Sequence, residues 1–290
     1  TLAALLPASS LVYASIKVAD NRQLISTVLK GSGFGKDIPA SISDRTRLLL
    51  AAVQTSADGK PVVSMVASGD FPAGMIGWKL NWSGAWKRNT SPIRWWQEKK
   101  QGLQIAVPNR SLVLFSTGGL PAMLKNYTEP TEDPLNPTVQ AAFDSSDLAI
   151  YFPTVSDSLP ILGMDARRFP VDSFYFSIST DRPATAGGPS QASSPGSAAG
   201  PAASGPDYHG FAVFSMKSER DARLFSVVFK LLIASSQNGS SIGGFPIPLK
   251  GAQLAVDGST IRLTGISLSE KDLAELVGTV VGGKKREVVK

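Results

Sequence analysis

Cysteine is absent from the 290-residue chain, which excludes disulfides, thiolate nucleophiles and cysteine metal sites. Histidine occurs once, at His209, so a metal centre would rest on carboxylates, which suit calcium or magnesium rather than transition metals. Charge is sparse as well. Charged residues make up 18%, and 29 basic against 23 acidic residues leave a net +6, without the dense Lys/Arg clusters that a phosphate backbone demands. Much of that excess sits in a basic tail at 284–290 with Lys284, Lys285, Arg286 and Lys290, so a nucleic-acid partner is not expected. The opening apolar segment, Leu2 to Leu6, is far too short for a signal or membrane-spanning segment. Thr1 reads as the start left by removal of an export signal.

What the chain does have is enough apolar matter, 42% of residues, for two cores, and a length that suits two domains. Its strongest organising signal is self-similarity. Ser10 to Val18 and Asp147 to Val155 are both strand-like openings, each followed by a short apolar segment, Leu24 to Leu29 or Leu159 to Leu162, that ends near glycine. Paired strands come next: Arg45 to Gln54 and Pro61 to Ala67 flank Asp58-Gly59, a hairpin signal, and Ser173 to Thr180 and Phe211 to Met216 flank a long insertion. A helix follows in each half, from Asp70-Phe71-Pro72 through Trp86, or from Ser218 to Asn238-Gly239. In the second helix Leu224, Val227, Val228, Leu231 and Leu232 form the apolar face expected to pack on the sheet. Each half closes on a hairpin and a helix. Leu103 to Val107, Pro108-Asn109-Arg110 and Leu112 to Phe115 answer to Gln253 to Val256, Asp257-Gly258-Ser259 and Ile261 to Ile266, and Leu120 to Tyr127 answers to Leu268 to Val281.

The expected fold is therefore α+β: two similar β-α-β-β-α-β-β-α halves, derived from the ferredoxin-like plan, with helices on one face of mainly antiparallel sheets. The boundaries are a first repeat at 1–128, a Pro-rich acidic linker at 129–143, and a second repeat at 144–283 with a disordered insertion at 181–207. The linker carries Pro130, Pro134 and Pro137, which stop helix and inner strand alike.

Leu5-Leu6-Pro7 followed by Leu11 to Val18 resembles the start of the mature part of uncharacterised exported bacterial proteins, some of them lipoproteins. The resemblance implies an envelope or periplasmic location, with a lipid-anchoring cysteine just before Thr1 as the expectation for a lipoprotein. It carries no chemistry with it.

Three stretches resemble catalytic or binding motifs and fail on context. Gly31-Ser32-Gly33-Phe34-Gly35-Lys36 has three residues between its outer glycines and Asp37 after the lysine, where a P-loop needs four and Ser or Thr. Gly239-Ser240-Ser241-Ile242-Gly243 has nucleophile-elbow spacing but trails a helix, and His209 precedes its serine. Glu129, Glu132, Asp133, Asp144 and Asp147 cluster around the linker without the alternating spacing of a calcium loop. No cofactor is expected.

Tryptophan is the outlier. All five lie between Trp78 and Trp96. Trp78, Trp82 and Trp86 recur every fourth residue, beside Lys79, Lys87, Arg88 and Arg94. Trp78 and Trp82 are expected to pack on the sheet. Trp86, Arg94, Trp95 and Trp96 are expected to form a partly exposed contact surface for a protein, a glycan or a membrane surface, because an aromatic plane beside cations serves such partners. The expected class is a non-catalytic envelope protein that binds or scaffolds a partner. The alternatives are an enzyme of unrecognised type and a single-stranded nucleic-acid binder.

The insertion gives a direct test, since its Pro, Ala, Gly and Ser content offers no apolar anchor. Replacing Pro183 to Gly205 by an Asp-Gly turn is expected to leave the melting temperature nearly unchanged. A loss of several degrees would mean that the insertion packs.

Overall fold

The computed structural model describes residues 1–18, 42, 44–100, 102–129, 131–158, 170–180, 208–236, 249 and 251–269. The segments Leu24 to Leu29 and Leu159 to Leu162, both glycine-rich motifs, the insertion, nearly all of the closing helix after Leu268, and the basic tail lie outside the described residues.

A 3-10 turn at Ala3–Leu5 precedes β1 (Val12–Lys17). The Asp58-Gly59 hairpin joins β2 (Thr46–Thr55) to β3 (Pro61–Gly69), with Gly59 at φ 78° and Ser56 N–H donating to Lys60 O over 2.8 Å. Helix α1 (Ala73–Trp82) follows, then a short hairpin of β4 (Trp86–Asn89) and β5 (Trp95–Glu98). Next come β6 (Gln104–Asn109), β7 (Leu112–Ser116), α2 (Leu120–Thr128) and α3 (Pro137–Ser145). The second half contains β8 (Leu148–Phe152), a single turn α4 (Val155–Ser158), β9 (Val171–Thr180), β10 (Tyr208–Met216), α5 (Glu219–Ser236), β11 (Gln253–Asp257) and β12 (Thr260–Leu268).

The fold is α+β, but the strands form a single sheet of twelve, ordered β11-β12-β10-β9-β8-β1-β2-β3-β7-β6-β5-β4. Outward from its centre the connectivity runs alike on both sides: β1, β2, β3, β7, β6 on one and β8, β9, β10, β12, β11 on the other. Among the described residues the β4–β5 hairpin occurs in the first half alone. At the centre β1 pairs antiparallel with β8, setting Tyr13 opposite Tyr151 and Ile16 opposite Leu148. Two separate sheets were expected, and this seam corrects that. Every pairing among the described strands is antiparallel, so the parallel crossover of a split-βαβ plan does not occur among them.

Helices cover both faces, not one. Side chains alternate along a strand, so Leu49, Met65, Ala67, Ile105, Val113 and Phe115 meet Ile76 and Leu80 of α1 on one face. Leu50, Val66, Ala106 and Leu114 meet Leu120, Met123 and Leu124 of α2, and Val139 and Phe143 of α3, on the other. The first face continues across the seam through Ile16, Leu148, Phe176 and Ile178 to Ala212, Leu263 and α5. Helix α2 is fastened at its start by buried polar groups: Gly119 N–H donates to Ser116 Oγ (2.7 Å) and Leu120 N–H to Gln104 Oε1 (3.0 Å), which satisfies donors that a helix start leaves free.

The linker boundaries also change. Pro137 does not stop a helix here; it occupies the first helical position of α3, where its fixed φ is favourable and its missing N–H costs nothing. Asn136 caps that helix by accepting from Val139 N–H at 2.9 Å. Upstream, Leu135 is buried, Thr131 Oγ1 donates to Ala4 O at 3.0 Å, and Asp133 accepts from Thr1 Oγ1. Thr131 and Asp133, within the expected linker, are thus tied to the chain start.

At the seam, burial pushes the phenols of Tyr13 and Tyr151 above their ordinary value of about 10. Tyr13 Oη donates to the carbonyl oxygens of Pro7 or Ala8, each 2.8 Å away. A phenol whose folded pKa exceeds its unfolded value stabilises the fold fully below the unfolded pKa and ceases to do so as pH rises through the folded one. The melting temperature should therefore stay level from about pH 7 to 9 and fall above about pH 10. The fall should shrink in a Tyr13→Phe/Tyr151→Phe variant followed by circular dichroism; an identical alkaline fall in that variant would contradict this.

Candidate contact surface

Helix α1 ends at Trp82 rather than Trp86, because Gly84 takes the left-handed conformation (φ 64°) and turns the chain into β4. Trp86 is consequently a strand residue, half-buried on the α1 face. In β5 the strict alternation of a strand sends Trp96 inward beneath α1 and Trp95 to the opposite face. Trp96 is 3% exposed, and its Nε1 donates to Asn81 Oδ1 at 2.8 Å. Gly77 makes room for it, since a Cβ there would lie 3.3 Å from the ring. Trp95 is half-buried and donates to Ser91 O at 3.0 Å, with exposed Arg94 beside it.

The expected grouping of Trp86, Arg94, Trp95 and Trp96 is thus not one surface. Trp96 is a core residue, and Trp86 and Trp95 lie on opposite sides of the sheet. The pair expected in the core is instead the open one: Trp78 is 56% and Trp82 76% exposed, with ring centroids 5.2 Å apart at 34°. Met75, also exposed, extends this stripe by a turn.

Helix α5 shows the same inversion. Ser218 caps it as expected, accepting from Asp221 N–H at 3.1 Å and donating to Asp221 Oδ2 at 2.6 Å. The side facing the sheet, however, is Ala222, Phe225, Phe229 and Ile233, with the Phe229 ring 4.8 Å from Phe214 and Phe214 4.6 Å from Phe174. Leu224, Val227, Val228 and Leu231 face outward at 59, 55, 48 and 65% exposure. Because α1 and α5 both rest on the cluster that crosses the seam, the two apolar stripes lie on the same side of the sheet.

The acidic residues around the linker do not converge. Glu129 pairs with Lys125 at 3.8 Å, Asp144 accepts from Gln140 Nε2 at 2.9 Å, and Asp133 is bound to Thr1. Among the described residues no three His, Cys, Asp or Glu side chains are grouped to hold a metal ion. His209 is exposed on β10. No helix among the described residues is long and apolar enough to cross a membrane.

A broad antiparallel sheet clothed by helices, two of which turn apolar residues to solvent, defines an α+β protein with an open apolar face. The chain belongs to the family described as outer membrane-associated lipoprotein TP0453, whose profile matches residues 3–164. An exported, cell-envelope location goes with that membership. Crystal form I of TP0453 has the same fold at a TM-score of 0.62 and 15% identity, covering 96% of both chains. Crystal form IV gives a TM-score of 0.63 at 16% identity over 94% of this chain and 95% of that one. No curated protein matches the chain.

The division of tryptophans into buried and open has a measurable consequence. Trp96→Ala should lose about 3 to 5 kcal/mol of unfolding free energy, as for other buried rings, whereas Trp78→Ala and Trp82→Ala should each stay within about 0.5 to 1 kcal/mol of the parent. Denaturant titration decides it. Comparable losses at Trp82 and Trp96 would contradict the assignment.

Proposed function

We propose that this is a non-catalytic cell-envelope protein that docks on a lipid surface through the sheet face carrying α1 and α5. The carrying observation is the pair of exposed apolar stripes on one side of one continuous sheet: Met75, Trp78 and Trp82 on α1, and Leu224, Val227, Val228 and Leu231 on α5. Water gains nothing from such stripes. A helix lying in a bilayer interface buries that side and leaves its backbone hydrogen bonds intact, so no spanning segment is needed. Tryptophan suits the headgroup level, where its ring is apolar and its N–H stays wet. The family's description as outer membrane-associated supports the same reading.

Vesicle flotation of the full chain tests it. The parent should float with phosphatidylcholine vesicles. Trp78→Ser/Trp82→Ser and Leu224→Ser/Leu231→Ser should each weaken that binding at least about tenfold, since burying one large apolar side chain contributes about 1.5 to 3 kcal/mol. Their melting temperatures should hardly move, because the altered side chains touch no core. Unchanged flotation of both variants would sink the reading.

A further inference from the structure

We infer that the α1 end of this face recognises anionic phospholipid headgroups, while α5 contributes apolar contact with little selectivity; the inference rests on the lipid-docking reading. The net charge of the chain is mild, but it is unevenly placed. From Phe71 to Thr128 eight basic residues stand against a single acid, Glu98. Three of the eight surround the open tryptophan pair. Lys79 lies within the exposed stripe, one turn from both Met75 and Trp82, and is itself exposed. Arg88, exposed on β4, sits opposite Trp96 in the strand register and so shares the sheet face on which α1 rests. Lys99, also exposed, donates from Nζ to Gly84 O at 2.7 Å, which holds its ammonium just past the end of α1.

The one acid nearby, Glu98, accepts at Oε2 from Lys100 N–H at 2.8 Å within its own hairpin, and a single carboxylate leaves the cations in excess. Among the described residues Lys79 and Arg88 form no ion pair. Helix α5 is less basic: Glu219 and Asp221 stand against Arg220, Arg223 and Lys230, a net +1, and Glu219 is paired with Arg223. Among the described residues the hairpin of β4 and β5 that brings Arg88 and Lys99 has no counterpart in the second half, so these cations stand on one side of the sheet. Apolar stripes alone would not distinguish one lipid surface from another. Cations at the rim of one stripe attract a negative leaflet and orient the protein with α1 towards it.

Sedimentation of the full chain with two vesicle types tests this. One is phosphatidylcholine alone; in the other about a third is replaced by phosphatidylglycerol. Each cation near an anionic surface is worth roughly fivefold in affinity, so the anionic vesicles should bind about a hundredfold more tightly at low salt. The preference should collapse to within about threefold in Lys79→Gln/Arg88→Gln/Lys99→Gln, and likewise in the parent at about 1 M salt, where the screening length is about 3 Å. Binding to phosphatidylcholine alone should be the same for parent and variant, which separates this inference from the docking itself. Equal affinity of the parent for both vesicles, or a full preference retained by the triple variant, would overturn it. A chain that ignores both vesicle types but binds a soluble polyanion such as heparin would overturn both this inference and the docking reading.

Discussion

The pairing of β1 with β8 is the constraint on which the rest of the molecule depends. Without it the two sets of strands would be separate sheets joined by a chain, free to present their helices in any direction. With it, Ile16 and Leu148 lie side by side, and the cluster beneath α1 runs on without interruption to the cluster beneath α5. The opposite face is joined in the same way, through Tyr13, Ala149 and Tyr151. The seam also accords with the course of residues 131–136, where Thr131 and Asp133 bond to the chain start. Helix α3 then covers the β8 side of the seam.

A sheet with helices on both faces has already met its need for burial, so the outward apolar residues of α1 and α5 do nothing for folding. Helix α5 carries apolar residues on its outer side as well as on the side that meets the sheet, so water lies over Leu224 and Leu231. The residues that hold it are aromatic, with Phe225 and Phe229 set into Phe214 and Phe174. Those that face outward are aliphatic and smooth. On α1 the contrast is sharper. Gly77 lets the helix approach close over Trp96, which fixes the helix rigidly, and the same rigidity holds Trp78 and Trp82 in the open.

Local turn chemistry was legible from the sequence. Asp58-Gly59, Asp257-Gly258 and Pro108-Asn109-Arg110 mark hairpins because their backbone conformations favour few other residues, and the structure has a strand pair at each. The seam was not, since β1 and β8 are far apart in the chain and no turn residue records their pairing. Nor was the sheet-facing side of α5. Ala222, Phe225, Phe229 and Ile233 fit a helical period as well as Leu224, Val227, Val228 and Leu231 do, and only the phenylalanines of β9 and β10 decide between them. Trp96 was misplaced through a boundary: once the helix stops at Gly84, the following residues obey a period of two, and alternate tryptophans go to opposite faces.

The central claim is that α1 and α5 meet a lipid surface together because the seam sets them on one side of one sheet. The chain has no cysteine, so a single spin label can be placed at will, at Met75→Cys on α1, Leu231→Cys on α5, or Lys125→Cys on exposed α2 across the sheet. Power saturation with oxygen and with a water-soluble nickel chelate, before and after addition of vesicles, reports which labels enter the bilayer. Labels at 75 and 231 should both gain oxygen contact and lose nickel contact, while the label at 125 stays in water. Entry of the label at 125, or of only one of the first two, would contradict the account.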